Sequence, residues 1–184
     1  YHREKIGTYE EFTKHRKQLQ AQRRRIQVSL KNSTGGHGRK KKLAHLEKLQ
    51  LHEREFARTY NHNASKRVID FALKYGAKYI HMEDLSGFSK EDRSSFVLRN
   101  WSYYELQQMI EYKASKYGIE VHYINPAYTS QTCSVCGHRG ERKKQSEFKC
   151  VNPDCTCHKI YTNGGLNADF NAARNIAMSK DFVK

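Results

Sequence analysis

Apolar side chains recur at a helical period over residues 9–76. The first stripe consists of Tyr9, Phe12, Leu19, Ile26 and Leu30. The residues around it are mostly Arg, Lys and Gln, as on an exposed helix with one buried face. The glycine-rich segment 32–38 interrupts this pattern, and a second helical pattern extends from Leu43 to a C-cap position at Gly76. Two long helices around a glycine turn predict an antiparallel hairpin.

The period changes to two after Gly76. Residues 77–83 alternate and predict a strand that ends in a carboxylate, and residues 119–124 predict a second strand. Between them, Asn100 can cap a helix that begins at Trp101 and stops at Gly118. Strand, helix and strand in succession predict a βαβ unit with parallel, neighbouring strands. Residues 127–163 look loop-rich, and a last short helix is expected from about Asn167.

Charge is concentrated in the helical half. The 184 residues suffice for one ordinary domain or two small ones, and they carry 34 Lys plus Arg against 19 Asp plus Glu. Residues 1–75 account for +12 of the net +15. Such an excess favours a polyanion, of which nucleic acid is the commonest. No apolar run approaches the length of a membrane span, which excludes an integral membrane protein.

Two basic runs are the candidate nucleic-acid contacts. They comprise Arg23, Arg24 and Arg25 in the first helix, and Arg39, Lys40, Lys41 and Lys42 at the start of the second. Both runs exceed what solubility requires. Two other interpretations stay open: a coiled-coil arm whose charges are merely solvated, and a homodimer through the stripe from Phe12 to Leu30.

The cysteines indicate a metal site. All five lie between Cys133 and Cys157, and this clustering favours a metal site in a reducing compartment, the cytoplasm, over a disulfide framework. Cys133 and Cys136 form a CxxC knuckle, and Cys150 and Cys155 follow after thirteen residues, a spacing found in zinc ribbons. Cys155 is preferred as the fourth ligand because Pro153 preorganises its loop; Cys157 is the alternative.

Two carboxylates are candidates for a second kind of site. Glu83 ends the first predicted strand, and Asp169 lies in the first turn of the last helix. Each is weak evidence alone, because carboxylates are ordinary at helix N-termini and in turns. A two-metal nuclease site needs three or four acidic ligands, so these two would not complete one.

Three segments, in order, resemble motifs of one family. Residues 80–87 (IHMEDLSG) resemble the second RuvC motif of transposon-encoded TnpB nucleases and of the related miniature type V CRISPR effectors. Residues 128–137 (YTSQTCSVCG) resemble their zinc-binding segment, and residues 167–176 (NADFNAARNI) resemble their third RuvC motif.

The resemblance implies an α/β chain with a partial RNase H-like (RuvC) fold, a long basic helical hairpin and an inserted zinc ribbon. The implied segments are the hairpin (1–76), a RuvC βαβ segment (77–126), the ribbon (127–163) and a C-terminal RuvC helix (164–184). The implied activity is RNA-guided, Mg²⁺-dependent cleavage of DNA, with guide RNA and target DNA as partners. By position, Glu83 and Asp169 are the catalytic magnesium ligands, and Cys133, Cys136, Cys150 and Cys155 hold a structural zinc.

One departure from the family limits these expectations. The family's first motif, an Asp on the opening strand followed by Gly, has no counterpart here, so we expect this chain to be about the last two-fifths of such a protein and to be inactive alone. The segment from Cys155 to Asp169 is also longer than in the family, which keeps Cys157 as an alternative ligand. The competing hypothesis is a truncated, non-cleaving zinc module that binds RNA or DNA.

Overall fold

The computed structural model describes residues 2–7, 9–32, 35–86, 103–144, 146–160 and 165–183. The elements in these ranges are α1 (Tyr9–Lys31), α2 (His37–Lys74), β1 (Tyr79–Glu83), α3 (Tyr103–Ser115), β2 (Glu120–Ile124), β3 (Gly140–Lys144), β4 (Glu147–Cys150), α4 (Cys157–Ile160), β5 (Gly165–Asn167) and α5 (Ala168–Met178). None of the described helices is long and apolar enough to cross a bilayer.

The chain divides into two compact units. The helical unit contains Glu4–Tyr75 and Ser89–Lys113, and the mixed unit contains Tyr1–Arg3, Gly76–Phe88 and Ala114–Lys184. The boundaries of the four segments implied by the family resemblance stay a prediction, because a division into two compact units does not test them.

The helical unit contains the predicted antiparallel hairpin. The ring of Phe12, 1% exposed, lies 5.7 Å from that of Phe56 and 5.1 Å from that of Tyr60, both in the middle of α2. At the turn, the Arg39 guanidinium donates a hydrogen bond of 2.8 Å to the Leu30 carbonyl. These cross-contacts confirm the hairpin. The same contacts bury Phe12 and Leu30, the two ends of the apolar stripe that a homodimer would use. A dimer formed through this stripe would have to replace the contacts between α1 and α2.

Polar contacts join α3 to α2 inside the helical unit. The buried Asn61 amide donates to a Glu105 carboxylate oxygen at 2.9 Å, and Lys113 Nζ donates to the Ser65 hydroxyl at 2.6 Å. Because buried polar groups are costly without partners, these bonds fix how α3 lies on α2.

The ends of α3 follow the sequence only in part. The helix ends at Ser115, and Gly118 adopts φ +67°, as expected of a glycine stop signal. The predicted start, with Asn100 as the cap and Trp101 after it, lies outside the described residues.

The mixed unit contains the predicted parallel strand pair. β1 and β2 align from Tyr79 opposite Glu120 to Glu83 opposite Ile124. The chain terminus covers the other side of β2, because Phe182 bridges to Ile124 and the Val183 amide donates to the Tyr123 carbonyl at 2.8 Å. Within the described ranges, β2 is the only strand that pairs with β1.

The mixed unit also contains a three-stranded antiparallel sheet in the order β3–β4–β5, together with α4 and α5. Its core is small and consists of Cys133, Phe148, Cys150, Cys155, Cys157, Leu166 and Ala168. Gly140 is required where the Phe148 ring crosses β3, because a side chain there would collide with that ring. The result is a mixed helix–strand architecture; the RNase H-like assignment stays a prediction.

Candidate metal centres and basic surface

Tight turns bring the cysteines together. In the first knuckle, the Cys133 amide donates to the His138 carbonyl at 2.8 Å, and Gly137 turns the chain at φ +76°. In the second, the Cys155 amide donates to the Asn152 carbonyl at 3.1 Å. These turns form between residues that are close together in the chain. The spacing of the cysteines was therefore sufficient to predict the two knuckles.

Four of the sulfurs fit a tetrahedral metal ion. The ligand atoms of Cys133, Cys136, Cys150 and Cys155 all lie within 4.8 Å of one another. The Cys133–Cys155 sulfur distance is 3.9 Å, and the Cys136–Cys150 distance is 3.6 Å. A tetrahedral zinc ion with Zn–S bonds of about 2.3 Å needs sulfur separations of about 3.8 Å. The cluster can therefore bind a metal such as zinc.

The electrostatics of the thiols favour a cation. Burial raises the pKa of Cys136, but hydrogen bonds from the His138 backbone and from the thiols of Cys155, Cys150 and Cys133 outweigh it and lower this pKa to about 6. Burial raises the pKa values of Cys133 and Cys150. Only a cation makes four adjacent thiolates stable in this small core.

The fifth cysteine lies beside the cluster. Cys157 is fully buried, its amide donates to Cys155 Sγ at 3.5 Å, and burial raises its pKa to about 12. With Cys150 and His158 it forms a second group of ligand atoms within 4.8 Å. His158 Nε2, however, lies 3.1 Å from the Cys150 carbonyl, so this nitrogen already has a backbone partner. This geometry is consistent with Cys155 in the four-thiol set.

The two predicted acids lie on elements that pack together. Glu83 ends β1, and Asp169 is exposed in the first turn of α5. His81 Nδ1 on β1 lies 3.2 Å from the Ile176 carbonyl on α5. Among the described residues, groups of three or more ligand atoms within 4.8 Å of one another occur only at the cysteines, so Glu83 and Asp169 belong to no such group.

The basic run in α1 is not uniform. Arg16 donates to Glu53 at 2.8 Å, and Arg23 lies 3.9 Å from the same carboxylate, which partly neutralises both guanidinium groups. Arg24 and Arg25 are exposed.

Cations from both helices meet at the hairpin turn. An open cleft of about 670 Å³ is lined by Arg24, Gln27, Val28, Leu30, Lys31 and Arg39. Of the other predicted contacts, Lys40 and Lys41 are exposed, and Lys42 is half-buried. The structure thus groups Arg24 with Arg39 and adds Lys31, which the sequence did not single out.

Similar proteins identify the family. Residues 103–176 match the Cas12f1-like TNB domain. The CRISPR-associated endodeoxyribonuclease Cas12f1 of Syntrophomonas palmitatica is 38% identical over 93% of this chain and 39% of the relative. The Sulfoacidibacillus thermotolerans protein of the same name is 45% identical over 78% of this chain and 32% of the relative. A solved structure titled "Cryo-EM structure of the Cas12f1-sgRNA-target DNA complex" matches with a TM-score of 0.70 and 29% identity, covering 98% of this chain and 45% of that chain.

The chain belongs to the family of TnpB-like proteins and miniature type V effectors. It spans about a third to two-fifths of the two curated relatives described above. In this Cas12f-like chain, the long segment between Cys155 and Asp169 contains α4 and β5, and β5 pairs with β4. Within this segment β5 extends the small sheet, and Cys155 belongs to the four-thiol group.

Sequence reasoning missed a set of polar side chains that hold the loop before the first knuckle. Thr129 Oγ1 lies 2.5 Å from Glu83 Oε1. The Asn175 amide donates to the carbonyls of Thr129 and Thr132, at 2.8 and 2.7 Å, and the Asn171 amide donates to Thr132 at 2.7 Å. A repeated Asn at positions 171 and 175, one helical turn apart, was the available signal, because both side chains lie on one face of α5.

Proposed function

We propose that this chain supplies the RuvC-like catalytic region and the zinc ribbon of an RNA-guided DNA endonuclease. The observation that carries the proposal is the placement of Glu83 at the end of β1, against which α5 packs with Asp169 in its first turn. Two relatives are named endodeoxyribonucleases, which supports DNA hydrolysis. The matching structure contains sgRNA and target DNA, which supports both as partners.

Glu83 and Asp169 suit magnesium because Mg²⁺ prefers carboxylate oxygens. When bound, Mg²⁺ would supply positive charge that stabilises the transition state of phosphodiester hydrolysis. The chain's own residues orient the two carboxylates: Thr129 contacts Glu83, and the Asn167 side chain caps α5 by accepting from the Phe170 amide at 2.9 Å. We expect another segment to supply a third acid, because in the described part of this chain no three acidic ligand atoms lie within 4.8 Å of one another.

The zinc ribbon has a structural role in this proposal. Cys133, Cys136, Cys150 and Cys155 hold Zn²⁺, with Cys157 as the alternative fourth ligand. Their metal stabilises a sheet whose own core is too small to fold unaided. A thiolate site of this kind suits the reducing cytoplasm, the location that the sequence predicts.

The helical hairpin contributes the nucleic-acid surface. Arg24, Lys31 and Arg39 surround one cleft, and among the described residues that line it the other polar side chain is that of Gln27. Three cations converging without an acid among them suit phosphate oxygens. We assign this cleft to the backbone of the guide–target duplex or of the displaced strand, in which base pairing carries the sequence information.

A second candidate is a non-cleaving, zinc-containing module that binds RNA or DNA. It is favoured by one observation: among the described residues, Glu83 and Asp169 belong to no group of three ligand atoms within 4.8 Å of one another. The hairpin and the cysteine cluster would serve this function equally well.

Cleavage assays separate the two candidates. The chain is mixed with a segment of the Syntrophomonas palmitatica relative that carries the family's first motif, together with guide RNA, target DNA and Mg²⁺. Nicking that disappears in Glu83→Ala, with DNA binding retained, is the expected result. Binding without nicking in every preparation would favour the non-cleaving module.

A further inference from the structure

The Thr129 hydroxyl makes a short contact with one of the two candidate acids. Its oxygen lies 2.5 Å from Glu83 Oε1 and 3.2 Å from the Pro126 carbonyl. A hydroxyl has one proton, so it can donate fully to only one of these acceptors. The shorter distance, in the range of charge-assisted hydrogen bonds to carboxylates, assigns that proton to Glu83.

The backbone before Thr129 is held in an unfavourable conformation. Tyr128 has φ +64°, the only positive φ of a non-glycine residue in the described ranges. The amides of Gln131 and Thr132 donate to its carbonyl at 3.0 and 3.1 Å, and the Arg139 guanidinium lies 4.0 Å from the centre of its ring. Such strain persists only where the surroundings enforce it, and it often accompanies a functional constraint. Here it turns the chain directly before Thr129.

Helix α5 fixes the same loop from its other side. Asn175 binds the Thr129 carbonyl, and Asn171, fully buried, accepts from the Ser134 amide at 2.8 Å while donating to the Thr132 carbonyl. Asp169 lies two residues before Asn171 on this helix. Thr129 therefore connects the loop to Glu83. Two asparagines of α5, Asn171 and Asn175, connect the same loop to the helix that carries Asp169.

From these contacts we propose that Thr129 is a positioning residue for Glu83. Its hydroxyl fixes the carboxylate in one orientation relative to α5, so that the oxygens of Glu83 and Asp169 are preorganised for one divalent cation. This inference rests on the proposed role of the two acids in binding magnesium. Partners that hydrogen-bond to metal-ligating carboxylates typically contribute 10–100-fold to metal affinity.

The test compares four variants of the 184-residue chain. Thr129→Val removes the hydroxyl and keeps the branched shape, whereas Thr129→Ser keeps the hydroxyl. Thr132→Val is the matched control, because the loop contacts of Thr132 described above use its backbone carbonyl. Glu83→Ala defines the binding that depends on the acid. Mn²⁺, a paramagnetic substitute for Mg²⁺, is titrated into each protein and followed by EPR, after zinc content and circular dichroism have shown that the fold is intact.

We expect Thr129→Val to weaken the Glu83-dependent Mn²⁺ affinity by about 10-fold or more, and Thr129→Ser and Thr132→Val to stay within about 3-fold of the starting protein. A Thr129→Val affinity equal to that of the starting protein, with loss in Glu83→Ala, would overturn the positioning role alone. Equal affinity in all four variants would overturn the metal role of Glu83, and the positioning role with it. If Thr129→Val loses its fold, failure of Thr129→Ser to retain affinity overturns the proposal.

Discussion

Cys133 belongs both to the four-thiol group and to the small core of the mixed unit. Its side chain is 1% exposed, and its sulfur lies 3.9 Å from that of Cys155. We expect Cys133→Ser to reduce bound zinc from one per chain to almost none, because three thiolates no longer complete the tetrahedron. Without the roughly 10 kcal/mol of metal binding, the ribbon at 127–163 should unfold while the helices persist. Zinc content and circular dichroism measure both effects.

Cys155 and Cys157 provide a matched pair for the fourth ligand. We expect Cys155→Ser to lose zinc and Cys157→Ser to keep it, because only Cys155 belongs to the four-thiol group. The opposite pattern would assign the ligand to Cys157.

Asn171 is a buried polar side chain whose contacts hold a loop. It bonds to the Ser134 amide and the Thr132 carbonyl, and it has no exposed surface. Asn171→Ala should lower the free energy of unfolding of the mixed unit by about 1–3 kcal/mol, because the Ser134 amide loses its acceptor.

Asn63 offers the control for Asn171, since it is exposed on α2. Asn63→Ala should change the free energy by less than about 0.5 kcal/mol. Denaturant titrations of the two variants measure the difference, and equal values would show that the Asn171 contacts contribute nothing specific.

The hairpin is the element whose charge has the clearest measurable consequence. Phosphate contacts release counterions, so affinity for duplex DNA should fall roughly tenfold or more between 50 and 200 mM salt. Replacing Arg24, Lys31 and Arg39 together by Gln should reduce the log–log salt slope by about 2–3. Fluorescence anisotropy over a salt series gives the slope.

A control for the cleft removes the same charge elsewhere on the hairpin. Lys14, Lys17 and Lys48 are exposed and do not line the cleft. Changing these three to Gln should reduce the slope by less than the cleft variant does. Equal reductions of the salt slope in the two variants would mean that the hairpin acts as a diffuse basic surface. An unchanged slope in both variants would mean that these charges are solvated and do not contact phosphate.

At the scale of the whole molecule, the two candidate acids lead to a prediction about activity. Glu83 and Asp169 supply two carboxylates, and a two-metal site needs at least three. We expect residues 1–184 alone to give no Mg²⁺-dependent cleavage of single- or double-stranded DNA. A segment that carries the family's first motif, added in trans, should restore cleavage by delivering the third acid.

The controls for this complementation are substitutions in the chain itself. Restored activity should disappear in Asp169→Ala. Robust cleavage by residues 1–184 without any added segment would contradict the prediction and would mean that another acid, such as Asp84, completes the site.

The complementation also tests the edge of β1. In the described part of the chain, β1 pairs on one side with β2, and an unpaired strand edge favours self-association. Light scattering should show association of the chain alone, decreasing when the added segment pairs with this edge. Association unchanged by the segment would argue against that pairing.

The sequence alone predicted the hairpin, the parallel strand pair and the last helix, whereas β3, β4 and α4 lie in a segment that was expected to be loop-rich. Helical periodicity and Gly76 predicted the hairpin helices, alternation predicted β1 and β2, and the last helix was predicted from about Asn167, close to the start of α5 at Ala168. The four-thiol group was predictable for the same reason, since knuckle turns and ligand spacing involve residues close together in the chain.

Tertiary structure decided which distant groups meet. The Glu53 carboxylate partly neutralises the charge of Arg23. The hairpin turn places Arg39 at the same cleft as Arg24 and Lys31. The Phe182 bridge to Ile124 and the contact of Thr129 with Glu83 join positions 58 and 46 residues apart. Such pairings carry no periodic signal, because they depend on how packed elements place single side chains. The sequence therefore determined the hairpin helices, the parallel strands and the four-thiol group, whereas packing determined which cations line the cleft and which hydroxyl contacts Glu83.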